Sequence, residues 1–136
     1  MVVLDTNIII DHLRLQEAAQ QSELEYLTSK YPDAKLGLSV ISIQELFEGK
    51  STKNARKLAA LYKIIKPLLV LECDTKIAKR AGELARDTSV AITFADAAIA
   101  ATALEHNSQL ATLNTKHFSH IAKLRLAKLQ QSLLLF

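Results

Sequence analysis

Four short apolar runs, at residues 2–4, 36–41, 68–71 and 109–113, alternate with stretches whose apolar residues recur at helical spacing. That alternation narrows the fold more than any other feature of the chain. Strand-then-helix units pair their strands in parallel through right-handed crossovers. The runs are short and apolar on both faces, as strands of a sheet covered on both sides must be. The expected fold class is therefore α/β, a three-layer sandwich around a short, mostly parallel central sheet. At 136 residues and 49% hydrophobic content, the chain is long enough for one sizeable core, and a single domain over 1–136 is expected.

Helical periodicity assigns residues 8–15 and 16–31 to two helices, the second ended by Pro32. Residues 42–48 and 54–66 make two more, on either side of a break at 49–52. A fifth helix, 76–86, is capped by Asp74, and a sixth, 95–106, follows a connector at 89–94. The C-terminal tail ends in Leu133-Leu134-Leu135-Phe136 and carries no clear assignment. Leu24, Tyr26, Leu27 and Tyr31 of the second helix suit either core packing or the docking of an amphipathic partner helix.

Several function classes are excluded or disfavoured. Gly37, Gly49 and Gly82 are the only glycines, and they spell neither a dinucleotide-binding fingerprint nor a phosphate-binding loop. No uncharged apolar run approaches the roughly 18 residues of a membrane span. No basic region opens the chain, and Asp5 and Asp11 interrupt its first apolar stretch, which argues against a signal peptide. Cys73 is the only cysteine and fits a reduced compartment. A cytoplasmic protein without a membrane segment is the expectation.

Three carboxylates stand where apolar runs give way to helical pattern: Asp5 after Val2-Val3-Leu4, Glu45 after the second run, and Asp96 at the head of an Ala-rich stretch. Singly, two of them have ordinary explanations. Ser42-Ile43-Gln44-Glu45 fits a capping box, and Thr93-Phe94-Ala95-Asp96 is a similar pattern. Asp5, at the end of a buried strand, needs a partner or a metal. Together, at one sheet edge, the three would crowd: at an effective dielectric near 20, two charges roughly 5 Å apart repel by about 3 kcal/mol. Such a cluster calls for a cation, and hard oxygen ligands suit Mg2+ or Mn2+. The chemistry to match is metal-assisted phosphodiester hydrolysis.

Charge distribution suits that substrate. No acid lies between Glu48 and Glu72, an interval holding Lys50, Lys53, Arg56, Lys57, Lys63 and Lys66. Such a cluster neutralises phosphates in nucleic-acid binding, although a Lys-rich solvated helix face reads the same way. Lys50, Lys53, Arg56 and Lys57 are the candidate RNA contacts.

The stretches Val2-Val3-Leu4-Asp5-Thr6-Asn7, Ser39-Val40-Ile41-Ser42-Ile43-Gln44-Glu45-Leu46, Asp96-Ala97-Ala98-Ile99-Ala100-Ala101-Thr102-Ala103 and Leu110-Ala111-Thr112-Leu113-Asn114-Thr115-Lys116-His117-Phe118 resemble, in order and spacing, the motifs of PIN-domain ribonucleases. The likeness is to the VapC-like toxins of type II toxin-antitoxin modules. It implies a Mg2+- or Mn2+-dependent endoribonuclease, usually a homodimer, held inactive by a cognate antitoxin protein. By the same resemblance, Asp5 and Asp96 are the principal metal ligands, Glu45 completes the acidic cluster by binding metal directly or orienting the water, and Thr6, Asn7 and Thr112 support it. Asn114 stands where many relatives carry an Asp, and is assigned to the catalytic set through a hydrogen bond to a water on the metal. His117 stands where others carry an acid. With no acid after Glu105, the C-terminal part supplies no fourth carboxylate, and one tightly held metal is expected rather than two. Two other readings remain: a PIN-type nuclease in RNA maturation or decay without an antitoxin, and a non-catalytic RNA- or protein-binding module whose acids are caps.

Overall fold

The computed structural model describes residues 1–130. Its centre is a four-stranded parallel sheet in the order β3-β2-β1-β4, formed by β1 (Val2–Leu4), β2 (Leu36–Ser39), β3 (Leu69–Leu71) and β4 (Gln109–Ala111). Val2 pairs with Leu36 and Gln109, and Leu4 with Leu38 and Ala111, so the central strands end level with one another. The α/β sandwich expected from the alternation is the observed architecture.

Side chains on successive strand residues point to opposite faces, and each face has its own core. Val2 and Leu4 pack with Ile8 and Ile9 of α1 (Thr6–Glu17), Leu24 and Leu27 of α2 (Glu23–Lys30), Leu46 of α3 (Val40–Glu48), and Leu61 and Ile64 of α4 (Ala55–Ile65). Val3 faces the other way, toward Ile99, Ala100 and Ala103 of α6 (Phe94–Glu105) and Phe118 of α7 (Thr115–Phe118). On that second face α5 (Thr75–Asp87) packs against α6. The small residues of α6 allow close approach to the sheet. Leu24 and Leu27 of α2 are core residues, while Tyr26 and the following C-cap Tyr31 are only half buried.

Several boundaries differ from the sequence expectation. The helix expected over 16–31 is broken: α1 runs to Glu17 and α2 begins only at Glu23. Ala19 takes a left-handed φ of 53°, with Ala19 N donating to Gln16 O and Gln20 N to Leu15 O. That is a Schellman closure made without glycine. The second strand stops at Ser39, not residue 41, and Val40 already belongs to α3. Ser39 is the cap, its hydroxyl accepting from Ile41 N at 3.1 Å. Ser42 is therefore not an N-cap, and no capping box forms between it and Glu45. The apolar tail Leu133-Leu134-Leu135-Phe136 lies outside the described residues.

β1 has β2 on one side and β4 on the other, so the chain order reverses at β1. The crevice outside the strand ends at such a switch point is where open α/β sheets place their ligands.

Candidate active site

Asp5 is the first residue beyond β1, and its backbone N donates to Ala111 O across the β4 end at 2.8 Å. It is the N-cap of α1: its Oδ1 accepts from Thr6 N at 2.7 Å. Its Oδ2 accepts from the Thr112 hydroxyl at 2.7 Å. The acid with the weakest claim to be a cap is thus the one that caps. Being a cap does not exhaust it, because a carboxylate has about four acceptor positions and Asp5 is only 5% exposed.

That burial, against the Thr112 hydrogen bond and with the charges of Asp96 and Glu45 adding to it, pushes the Asp5 carboxyl up from its ordinary 3.8 to about 6. Asp96 and Glu45 thus both act on Asp5, as smaller causes beside its burial.

Glu45 reaches the cluster from the second turn of α3 rather than from a helix start. The Thr6 hydroxyl donates to its Oε1 at 2.6 Å and shares a second hydrogen bond, 2.9 Å long, with Ser42 Oγ. Asp96 lies in the first turn of α6, where its backbone N donates to the Thr93 hydroxyl at 3.1 Å. Its carboxylate turns away from that cap: Oδ2 stands 3.2 Å from His117 Nδ1. The Thr93–Asp96 box is half made, with the carboxylate given to the site.

The supporting residues form a lattice. Asn7 Oδ1 accepts from Leu113 N at 3.2 Å, its Nδ2 donates to Thr112 Oγ1 at 3.4 Å, and Asn114 N donates to the same hydroxyl at 3.0 Å. Asn7 and Thr112 thus fasten the first turn of α1 to the end of β4, while Thr6 ties that turn to α3. The Asn114 side chain contacts His117, with Nδ2 2.9 Å from Nδ1.

A groove of about 890 Å3 opens beside the cluster, with Glu45 in its lining. Arg56 and Lys57, from the first turn of α4, line it, whereas Lys50 and Lys53 stand on the neighbouring 3-10 turn (Lys50–Lys53) and do not. Arg14 of α1 lines the opposite wall with Ile10 and Leu13. Arg14 was not among the residues expected to line the groove, although Ile10, Leu13, Arg14 and Glu17 fall at the spacing of one helical face. A larger cavity, about 1060 Å3, between α2 and α4 contains none of the three acids.

Among the described residues, no group of three or more His, Cys, Asp or Glu side chains stands ready to hold a metal. Mg2+ does not require one: it is commonly held by one or two carboxylates, with waters and substrate phosphates completing the shell. Asp5 and Asp96, mutually repelling at a strand-end crevice, suit that water-rich mode rather than an all-protein cage. Among the described residues, no helix is long and apolar enough to cross a membrane.

A family model described as PIN domain matches residues 2–124. Ribonuclease VapC10 of Mycobacterium tuberculosis is 34% identical over 128 residues, covering 92% of this chain and 91% of that protein. VapBC2 from Rickettsia felis, solved bound to a DNA fragment from its promoter, shares the fold with a TM-score of 0.79 at 24% identity, covering 96% of this chain and 100% of that one. DNA-bound VapBC from Salmonella typhimurium gives a TM-score of 0.76 at 26% identity over 93% of this chain and 96% of that one.

Proposed function

The chain belongs to the PIN-domain family, and from that premise we propose that it is an endoribonuclease toxin of a toxin-antitoxin pair, acting in the cytoplasm with Mg2+ or Mn2+. The observation that carries the catalytic part is the buried Asp5 carboxylate, raised to about 6 by burial and further by Asp96 and Glu45 at the same strand-end crevice. A fold keeps such a charge cluster where a cation is to be bound. Ribonuclease relatives and complexes of VapB with VapC support the RNA substrate and the antitoxin partner.

Asp5 and Asp96 would hold the cation. When bound, it supplies Lewis-acid catalysis to phosphodiester hydrolysis. Thr112 and Thr6 N fix both oxygens of Asp5, so its orientation is set before anything binds. The Thr6 hydroxyl holds one oxygen of Glu45, which lines the groove and would orient the attacking water by accepting its hydrogen bond. Arg14, Arg56 and Lys57 flank the groove and neutralise RNA phosphates on the approach.

The test is cleavage-site mapping on total cellular RNA with and without Mg2+, using the Asp5→Asn protein as control. Cuts that need both Mg2+ and Asp5 are expected. Cuts that survive the substitution, or occur equally in chelator, would overturn the assignment.

A further inference from the structure

The two outer acids of the site are held in different ways. Asp5 has a backbone donor and a buried hydroxyl, one for each oxygen. Among the described residues, the side-chain partner of the Asp96 carboxylate is His117 Nδ1, 3.2 Å away, and the imidazole is 54% exposed against 19% for the Asp96 side chain.

That contact is not a chance surface encounter. His117 is the residue before Phe118, which is 1% exposed and packs in one cluster with Ile99, Ala100 and Ala103 of α6. The helix carrying Asp96 and the turn carrying His117 are therefore locked together by a shared core. Asn114, three residues back, contacts the same ring nitrogen, its Nδ2 2.9 Å from His117 Nδ1.

We propose that His117, seated by Asn114, is a positioning residue that holds the Asp96 carboxylate in its metal-binding orientation. The inference rests on the metal-dependent reading above. An ionised Asp96 has only acceptor atoms, so the contact selects the imidazole tautomer with hydrogen on Nδ1, which donates to Oδ2. A protonated Nδ1 cannot also accept from Asn114 Nδ2, 2.9 Å away, so the Asn114 amide is taken in its flipped assignment, with Oδ1 accepting from the same ring hydrogen; the O and N of an amide are assigned from such networks. The residues that interrupt the acidic pattern of the sequence thereby serve the acid already present instead of replacing a missing one. Hydrogen-bond partners of metal-ligating groups fix ligand orientation, and losing one typically weakens metal binding 10- to 100-fold.

The experiment is calorimetric titration of the metal-free protein with Mn2+, alongside its melting temperature without metal. His117→Ala is expected to weaken Mn2+ binding about 10- to 100-fold while leaving metal-free melting unchanged, as an exposed ring should. His117→Gln, whose side-chain amide can donate to Asp96, should recover most of the affinity, and Lys116→Ala, on the adjacent exposed position, should bind as wild type. Wild-type affinity in His117→Ala would overturn the proposal. So would a Gln variant as weak as Ala, which would make His117 a direct ligand. Failure of the wild-type protein to bind Mn2+ at all would instead overturn the metal-dependent reading, and the inference with it.

Discussion

Asp5 and Asp96 bring the same chemical group to the same crevice from opposite faces of the sheet, and the fold treats them differently. Asp5 is built in: 5% exposed, on the first residue past the central strand, with both oxygens occupied by donors from α1 and the end of β4. Asp96 stands at the head of a helix after a connector, its carboxylate reaching one half-exposed imidazole. Pre-organisation of the first comes from the sheet itself, and that of the second from an adjustable side-chain contact. Such a site has a fixed half and a tunable half. Cation affinity should then respond to changes around Asp96 with little loss of fold, whereas changes around Asp5 should register in both.

The largest expected effect does not separate the two. Asp5→Asn and Asp96→Asn should each lower RNA cleavage by about a hundred- to a thousandfold, since losing one preorganised charge at the reacting centre removes roughly 3–4 kcal/mol of transition-state stabilisation. A purified Asp96→Asn protein that cleaves at the wild-type rate would leave Asp5 alone in the site and end the comparison.

Stability is where the two part. Burial and repulsion raise the Asp5 carboxyl from 3.8 to about 6, so between those values the folded state holds a proton that the unfolded chain has lost. Stability therefore falls as pH rises through that window, by about 3 kcal/mol in total at 1.36 kcal/mol per tenfold change in proton affinity. Asp5→Asn removes the penalty. Its denaturation midpoint should exceed that of wild type near pH 7, and the gap should close below about pH 4, where both states of the wild-type protein are protonated. Asp96→Asn should show a smaller gap. Equal gains for both variants at pH 7 would show that the cluster, not burial, sets the penalty.

The groove gives a third, weaker contrast. Reversing Arg56 and Lys57 to Glu should weaken RNA binding and lower the slope of log affinity against log salt by about 1.4, at roughly 0.7 for each single-strand phosphate contact. The same reversal at Lys50 and Lys53, which stand outside the groove lining, should change the slope less, as read by fluorescence anisotropy at several salt concentrations.

How much of this was legible depended on whether the determinant was local. The parallel α/β sandwich followed from the alternation of apolar runs and helical periodicity, and Asp5 was legible as an acid ending a buried strand. What escaped were choices between neighbouring residues of equal local merit. Ser39 and Ser42 both suit an N-cap. Only the pairing of Ser39 with Leu71 in the sheet decides between them, moving Glu45 into the second turn of α3. The break in the 16–31 helix rests on a left-handed Ala19, a conformation that sequence signals normally reserve for glycine. The contact of His117 with Asp96 spans 21 positions. It depends on the packing of Phe118 against α6, so no spacing within either segment could announce it.

The smallest effect tests the half-made cap that frees Asp96 for the site. Thr93 Oγ1 accepts from Asp96 N, so Thr93→Ala should cost about 1 kcal/mol of stability by loss of an N-cap, measured by chemical denaturation. In a complete capping box the Asp96 carboxylate would return a bond to the Thr93 backbone N, and Asp96→Ala would cost a comparable amount. Here the carboxylate points to His117 instead. Asp96→Ala should therefore lose less stability than Thr93→Ala, while abolishing cleavage that Thr93→Ala largely keeps. The reverse order in the denaturation series would mean that Asp96 spends its charge holding the helix start, and that the site has one outer acid rather than two.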